Sequence, residues 1–255
     1  MQLVTKEMRH FESIFLYPLD SVHNTEFEAR IFTLEEELDF AGHPVIGAAS
    51  AIHDKRFPML DKVNLKIKLN TKSVEIESKK SCGYYYTASM EQGIPEFITE
   101  APQLFVSELL NAFNLNHHNL AQLPLEVVST GLNYLIVPLV SGLDQVRHKN
   151  VSDLLSKIDA KFVYFYDLYR GEGRTWDNDG IVEDVATGSA AGPVAAYLVK
   201  HHICKFGQMI TIKQGSYLER PSLMHVIVSG YSDKIIGINV IGDTCMIGEG
   251  QIKGI

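Results

Sequence analysis

Two short turns hold most of the side chains in this sequence that could do chemistry. The first reads Ala41-Gly42-His43-Pro44 and runs into Val45-Ile46-Gly47-Ala48-Ala49. The second reads Asp184-Val185-Ala186-Thr187-Gly188-Ser189 and runs into Ala190-Ala191-Gly192-Pro193. Each sets a glycine just before a run of small residues that reads as a helix. Glycine lets the backbone approach a ligand closely, and the first N–H groups of a helix lack intrahelical acceptors and favour an anion. Two such starts could hold a carboxylate-bearing small molecule, with Gly42 at one and Thr187, Gly188 and Ser189 at the other. The same turns can also be read without a ligand, glycine making the bend and small residues letting the helices pack.

Three chemically active groups accompany the turns: His43, Asp184 and Ser189, with Asp184 four residues before Gly188. A carboxylate near a helix start can be tuned to pass a proton to and from carbon, which is general acid–base catalysis and needs no metal. The plainer alternatives are a helix cap for Asp184 and a satisfied core histidine for His43, and local spacing leaves both open. Glu12 stands out differently. It interrupts an apolar strand start between Phe11 and Ile14, where the matching residue of the second half is Leu132. Burying an unpaired carboxylate is costly, so the residues alone predict an exposed strand end there.

Other motifs do not match a known chemistry. Gly188-Ser189-Ala190-Ala191-Gly192 is not the G-x-S-x-G nucleophile elbow, and no Gly-Lys-Ser/Thr follows to make a phosphate-cradling loop. His201, His202 and Cys204 crowd one helix end without partners at zinc-finger spacing, so they read as surface and core residues and not as metal ligands. His117-His118 reads as a polar loop.

Positioning these groups requires strands and helices in alternation. Apolar stretches rich in β-branched and aromatic residues predict strands at 14–17, 30–33, 63–69, 127–128, 134–140, 162–167, 209–213, 225–230 and 234–240. Helical patterns fall at 46–53, 102–113, 151–158 and 193–201. The chain also resembles itself: Glu12-Ser13-Ile14-Phe15-Leu16-Tyr17-Pro18-Leu19 is like Leu132-Asn133-Tyr134-Leu135-Ile136-Val137-Pro138-Leu139, and each strand leads on to one of the two turns. The expected architecture is two similar α/β lobes, 1–101 and 102–255, facing each other across a cleft. The last few residues are expected to return to the first lobe. Such a cleft is a default place for a small-molecule site.

The composition excludes several classes. A chain of 255 residues with 45% hydrophobic content can bury a large core without staples. Its 31 acidic against 23 basic residues, a net charge of −8, give no footprint for a nucleic-acid backbone. Three scattered cysteines fit a reducing compartment better than a disulfide framework. The opening residues contain no apolar stretch like a signal peptide, and the longest greasy run, 135–140, is far short of the ~20 residues of a membrane helix. A cytoplasmic protein is expected.

Taken together, the segments Phe11-Glu12-Ser13-Ile14-Phe15-Leu16, Phe40-Ala41-Gly42-His43-Pro44-Val45-Ile46-Gly47, Ser129-Thr130-Gly131-Leu132-Asn133-Tyr134-Leu135 and Glu183-Asp184-Val185-Ala186-Thr187-Gly188-Ser189-Ala190-Ala191-Gly192-Pro193 resemble, in order, motifs of the phenazine-biosynthesis PhzF-like family. Gln214-Gly215 and Arg220-Pro221-Ser222 resemble two more. The resemblance covers nearly the whole chain. It implies the diaminopimelate-epimerase fold: two pseudo-symmetric lobes, each a mixed or antiparallel sheet wrapped around a central helix, with the active site in the cleft. It also implies a cofactor-free isomerase acting on a small carboxylate-bearing metabolite, and a homodimer.

In the family, the glutamate matched by Glu12 is the residue proposed to move a proton between carbons of trans-2,3-dihydro-3-hydroxyanthranilate. His43, Asp184 and Ser189 match residues that surround the substrate. The related epimerases use two cysteines at the paired turns, and their absence here disfavours a two-thiol mechanism. Family members usually begin with a further strand and hairpin, and this chain starts at what looks like the helix before the glutamate strand. Val185 replaces the family's usual proline. The alternatives to an isomerase are a non-catalytic binding protein on the same fold, or an epimerase using Glu12 and Asp184 in place of thiols.

Overall fold

The computed structural model describes residues 1–10, 12–19 and 24–252. The chain divides into two compact units, one made of Met1–Met90 with Ile241–Ile255 and the other of Glu91–Val240.

The first unit opens with α1 (Gln2–Met8), β1 (Ser13–Pro18), β2 (Glu26–Phe32) and β3 (Glu37–Leu38). It continues with α2 (Gly42–Arg56), β4 (Lys62–Lys68), β5 (Ser73–Lys80) and β6 (Tyr85–Glu91). β4 shows why these segments extend: Val63, Leu65 and Ile67 are buried while Lys62, Asn64, Lys66 and Lys68 are exposed, the two-residue alternation of a sheet with one wet face. β1 pairs antiparallel with β2, β2 parallel with β4, and β4 and β5 antiparallel with their successors β5 and β6. β3 pairs antiparallel with β2 at Ile31 and Phe32, on the edge that β4 shares.

The sheet packs on α2 through β1, β4 and β5. The helix buries Val45, Ile46, Ala48, Ala49 and Ile52. Pro44 costs this helix little, because in the first turn its missing N–H would have had no intrahelical acceptor. The Thr244 hydroxyl donates to Ser50 Oγ (2.6 Å) and so ties the end of the chain to α2. Gln2 Nε2 on α1 donates to the carbonyls of Thr33 and Leu34.

The second unit contains β7 (Glu96–Glu100), α3 (Gln103–Ala112), β8 (Glu126–Ser129), β9 (Asn133–Leu139), α4 (Ser152–Ser156) and β10 (Phe162–Asp167). It goes on through β11 (Glu172–Arg174), α5 (Gly188–Lys200), β12 (Met209–Gln214) and β13 (Ser222–Tyr231) to β14 (Lys234–Cys245), whose last residues belong to the first unit. The strand order is β14-β13-β12-β11-β10-β9-β8-β7. The pairs β9–β10 and β11–β12 are parallel, while β7–β8, β8–β9, β10–β11 and β12–β13 are antiparallel, so the sheet is mixed.

Central strands β8 and β9 are buried along almost their whole length, as strands covered on both faces must be. α5 supplies one cover: every residue from Gly188 to Val199 is buried, and the helix packs on β8, β9 and β13. A helix this apolar on all sides is stable only when surrounded. A separate cluster joins α3 and α4 to the strands, with Phe113 against the rings of Phe165 and Trp176. Each unit therefore has a sheet arranged around one long helix that begins at a glycine.

Candidate active site

In the first unit the site is built where α2 starts. Ala41 is extended (φ −147°, ψ 136°) and offers no capping side chain, so the amides that open the helix at Gly42 and His43 are left to other acceptors. Because α2 packs against β1, its first turn faces the residue that precedes that strand. His43 Nε2 lies 3.2 Å from Glu12 Oε2.

The Glu12 side chain is only 9% exposed, which overturns the expectation of an open strand end. The physical reason is the packing of α2 on β1, which the local sequence does not encode. The imidazole of His43 is 42% exposed, so it is not sealed in a core and can meet a ligand from solvent. The satisfied core histidine of this helix is instead His53, fully buried with Nδ1 3.0 Å from Ser78 Oγ and Nε2 2.8 Å from the Leu60 carbonyl.

In the second unit the turn before α5 is held by a network. Asp184 closes it as a side-chain turn: Oδ1 accepts from the Ala186 amide (3.1 Å) and Oδ2 from the Thr187 hydroxyl (2.7 Å). Asp184 does not cap α5, whose N-cap is Thr187 with no side-chain cap hydrogen bond; it closes the turn that leads into the helix.

Gln214 on β12 is completely buried and makes three of its four hydrogen bonds to this turn. Its Nε2 donates to the Asp184 carbonyl and to Thr187 Oγ1 (2.8 Å each). Its Oε1 accepts from the Thr187 amide (3.2 Å) and the Tyr164 hydroxyl (2.9 Å). An amide side chain has two donors and two acceptor lone pairs, and here all four are engaged. Burial raises the Tyr164 phenol well above its ordinary pKa, keeping it a donor. The next residue, Gly215, has φ +83°, and a Cβ there would lie 2.3 Å from the Arg220 carbonyl oxygen. Only glycine fits, which explains the Gln-Gly pair.

The first turn of α5 is fixed from two more directions. The hydroxyls of Ser189 and Tyr134 are 2.7 Å apart, both buried. Gln92 Nε2 donates to the Gly188 carbonyl (2.8 Å), while its Oε1 accepts from Thr130 (3.0 Å). Thr187, at the helix start, makes no side-chain cap, so the opening amides of α5 have no side-chain acceptor of their own. Beside Asp184, the carboxylate of Glu183 is buried and bound by both arms of Arg174 (2.8 and 2.7 Å), an arrangement whose geometry and charge both favour a fixed position.

The structure thus gathers Glu12, Gly42 and His43 in one unit and Asp184, Thr187, Gly188 and Ser189 in the other. Gln92, Tyr164 and Arg174 were not singled out from the sequence. Gln92 reaches the Gly188 carbonyl across 96 residues of chain, and Tyr164 acts on the turn through Gln214, 50 residues away; no local pattern marks such partners. Among the described residues no group of three or more His, Cys, Asp or Glu could hold a metal ion. His201 and Lys200 pair with Glu126, while His117 and His118 sit in a short exposed turn.

Comparison with known proteins agrees with this architecture. The model of the phenazine biosynthesis-like protein family, PhzC-PhzF, matches residues 1–250. The chain is 31% identical to the trans-2,3-dihydro-3-hydroxyanthranilate isomerase of Pseudomonas chlororaphis, over 99% of this chain and 87% of that one. A solved Pseudomonas aeruginosa structure, described as a predicted epimerase, is 42% identical with a TM-score of 0.87, covering 97% of this chain and 88% of that one. The hydroxyproline epimerase of Agrobacterium vitis, at 12% identity and a TM-score of 0.62 over 92% of this chain and 72% of that one, is alike in fold alone. With a family match that runs almost from end to end, the chain belongs to the phenazine biosynthesis-like family.

Proposed function

We propose that this protein is a cofactor-independent isomerase that moves a proton between carbons of a small carboxylate-bearing metabolite. The observation that carries the reading is the carboxylate of Glu12, nearly buried and 3.2 Å from an imidazole that solvent can reach. Desolvation makes a carboxylate a stronger base toward carbon acids, and a neighbouring imidazole can relay or compensate the charge. Glu12 takes the proton from one carbon and returns it to another, so the substrate keeps its mass and no oxidant or reductant is consumed. His43 assists that transfer.

Gly42 opens one helix start of the kind that binds a carboxylate group of the substrate, and Thr187, Gly188 and Ser189 open another. Asp184 shapes the turn that leads into the second, its two oxygens already receiving hydrogen bonds from Ala186 and Thr187. This is also why a second proton carrier at Asp184, as a carboxylate-based epimerase would need, is the lesser reading. It is kept because the 42%-identical Pseudomonas aeruginosa protein is described as a predicted epimerase.

Relatives named for dihydrohydroxyanthranilate make that compound the first substrate to try. A homodimer in the cytoplasm accords with the family resemblance and with three unpaired cysteines. None of the described helices is long and apolar enough to cross a membrane.

The test is incubation of the purified chain, beside Glu12→Gln, with dihydrohydroxyanthranilate and a panel of carboxylates in deuterated water, followed by chromatography and mass spectrometry. A new isomer that needs Glu12 supports the proposal. Deuterium entering one stereocentre without a change in connectivity would indicate an epimerase, and saturable binding by both proteins with no turnover would indicate a binding protein.

A further inference from the structure

Within the second unit, the C-terminal end of α5 borders a cavity of about 750 Å³ that none of the residues considered so far for catalysis lines. A helix of 13 residues is about 20 Å long at ~1.5 Å per residue, so this cavity stands well away from the Gly188–Ser189 turn at the other end. Its size falls in the range of small-molecule sites, roughly 300–1,000 Å³.

Its walls combine two chemistries. Pro95, Phe97, Val199, Phe206 and Ile235 make the apolar part. Phe206 is held in place against Gly230, where a Cβ would come within 2.3 Å of the ring. Three lysines supply the charge. Lys200 is committed to Glu126 and stands 4.2 Å over the Phe97 ring. Lys205 and Lys234 also line the cavity, and the ion pairs among the described residues include neither. Asp233 is the only acid on the walls. In a chain of net charge −8, a concave apolar surface with excess cations is a local reversal of sign.

We propose that this cavity is a second binding site, for a small anion with an apolar aromatic body, such as an aromatic carboxylate or sulfonate. The body packs between Phe97, Phe206 and Ile235, and the acid group is met by Lys205 and Lys234. The site is independent of the isomerase reading.

Cys204 provides the test, because it lines the cavity and is partly buried, while Cys82 and Cys245 are exposed elsewhere. Burial raises the Cys204 thiol above its ordinary pKa, so it alkylates slowly and shielding is easily followed. The full chain is treated with iodoacetamide at increasing 1-anilinonaphthalene-8-sulfonate, and each cysteine is followed by peptide mass spectrometry. The proposal expects saturable protection of Cys204 with unchanged rates at Cys82 and Cys245. In Lys205→Gln/Lys234→Gln the concentration for half-protection should rise about tenfold, the loss of charge-assisted contacts. Three results would overturn it: no protection at millimolar probe, identical protection in the double variant, or protection without probe that grows with protein concentration, which would mean that a second copy covers the face.

Discussion

Glu12 Oε2 and His43 Nε2 lie 3.2 Å apart, joining the residue before β1 to the first turn of α2, with the carboxylate sheltered and the imidazole reachable. If this pair transfers the proton, Glu12→Gln should abolish turnover while keeping a near-native Tm. His43→Asn should lower kcat by about 10²–10⁴-fold, the usual worth of a positioned acid–base group. Steady-state kinetics with circular dichroism as a folding control checks both, and full turnover in Glu12→Gln would remove Glu12 from the mechanism.

Gln214, fully buried, binds the Asp184–Thr187 turn through three hydrogen bonds and accepts a fourth from the Tyr164 hydroxyl. Gln214→Leu keeps the volume roughly but strands the Tyr164 hydroxyl, the Thr187 amide and the Asp184 carbonyl. Each stranded group should cost about 1–3 kcal/mol, so urea denaturation should show a large loss of stability. A shift below about 1 kcal/mol would mean that the turn holds itself.

Gly192 has no room for a side chain, since a Cβ would lie 2.1 Å from Gln92 Oε1. Gly192→Ala should therefore push Gln92 off the Gly188 carbonyl and destabilise the protein by about 1–3 kcal/mol. Removing the obstacle in Gln92→Ala should make the second change cheaper, a coupling of roughly 0.5–3 kcal/mol in a double-mutant cycle. Additive effects would show that the clash is relieved elsewhere.

Acid should weaken the first unit through Glu37. Two hydrogen bonds from Arg30 (2.8 and 2.6 Å), joined by one from Asn70, hold its carboxyl at about 2, against an ordinary value of 4.5. A carboxyl with a depressed folded-state value stabilises the fold fully above its unfolded value and loses that contribution as pH falls through the folded one. The contribution is therefore complete above about pH 4.5 and gone near pH 2. The pair is partly exposed, so the effect is modest and falls with salt. Chemical denaturation between pH 2 and 6 should show a shallower acid slope for Glu37→Gln, and identical slopes would exclude the pair.

Much of the fold can be read directly from the sequence where each residue's environment follows from the pattern of its neighbours. β4 alternates cleanly, β9 and β10 are continuous apolar runs, and the glycine turns do open the long helices α2 and α5. Local pattern falls short where a strand is made by its neighbours. β5 places only Val74, Ile76 and Ser78 inward among charges, and β11 is Glu172-Gly173-Arg174, extended because β10 and β12 flank it. β6 and β7 likewise lacked a strong enough signal.

The candidate site divides the same way. The sequence by itself determined which groups could do chemistry, because glycine before small residues, a histidine in that turn and an acid ahead of the other are local facts. Only the tertiary structure decided that Glu12 is sheltered and paired with His43, that Asp184 spends its oxygens on its own turn, and that Gln92 and Gln214 lock the start of α5. Those outcomes depend on which surfaces pack together across long stretches of chain, and burial and hydrogen-bond partnership are properties of that packing and not of any short segment.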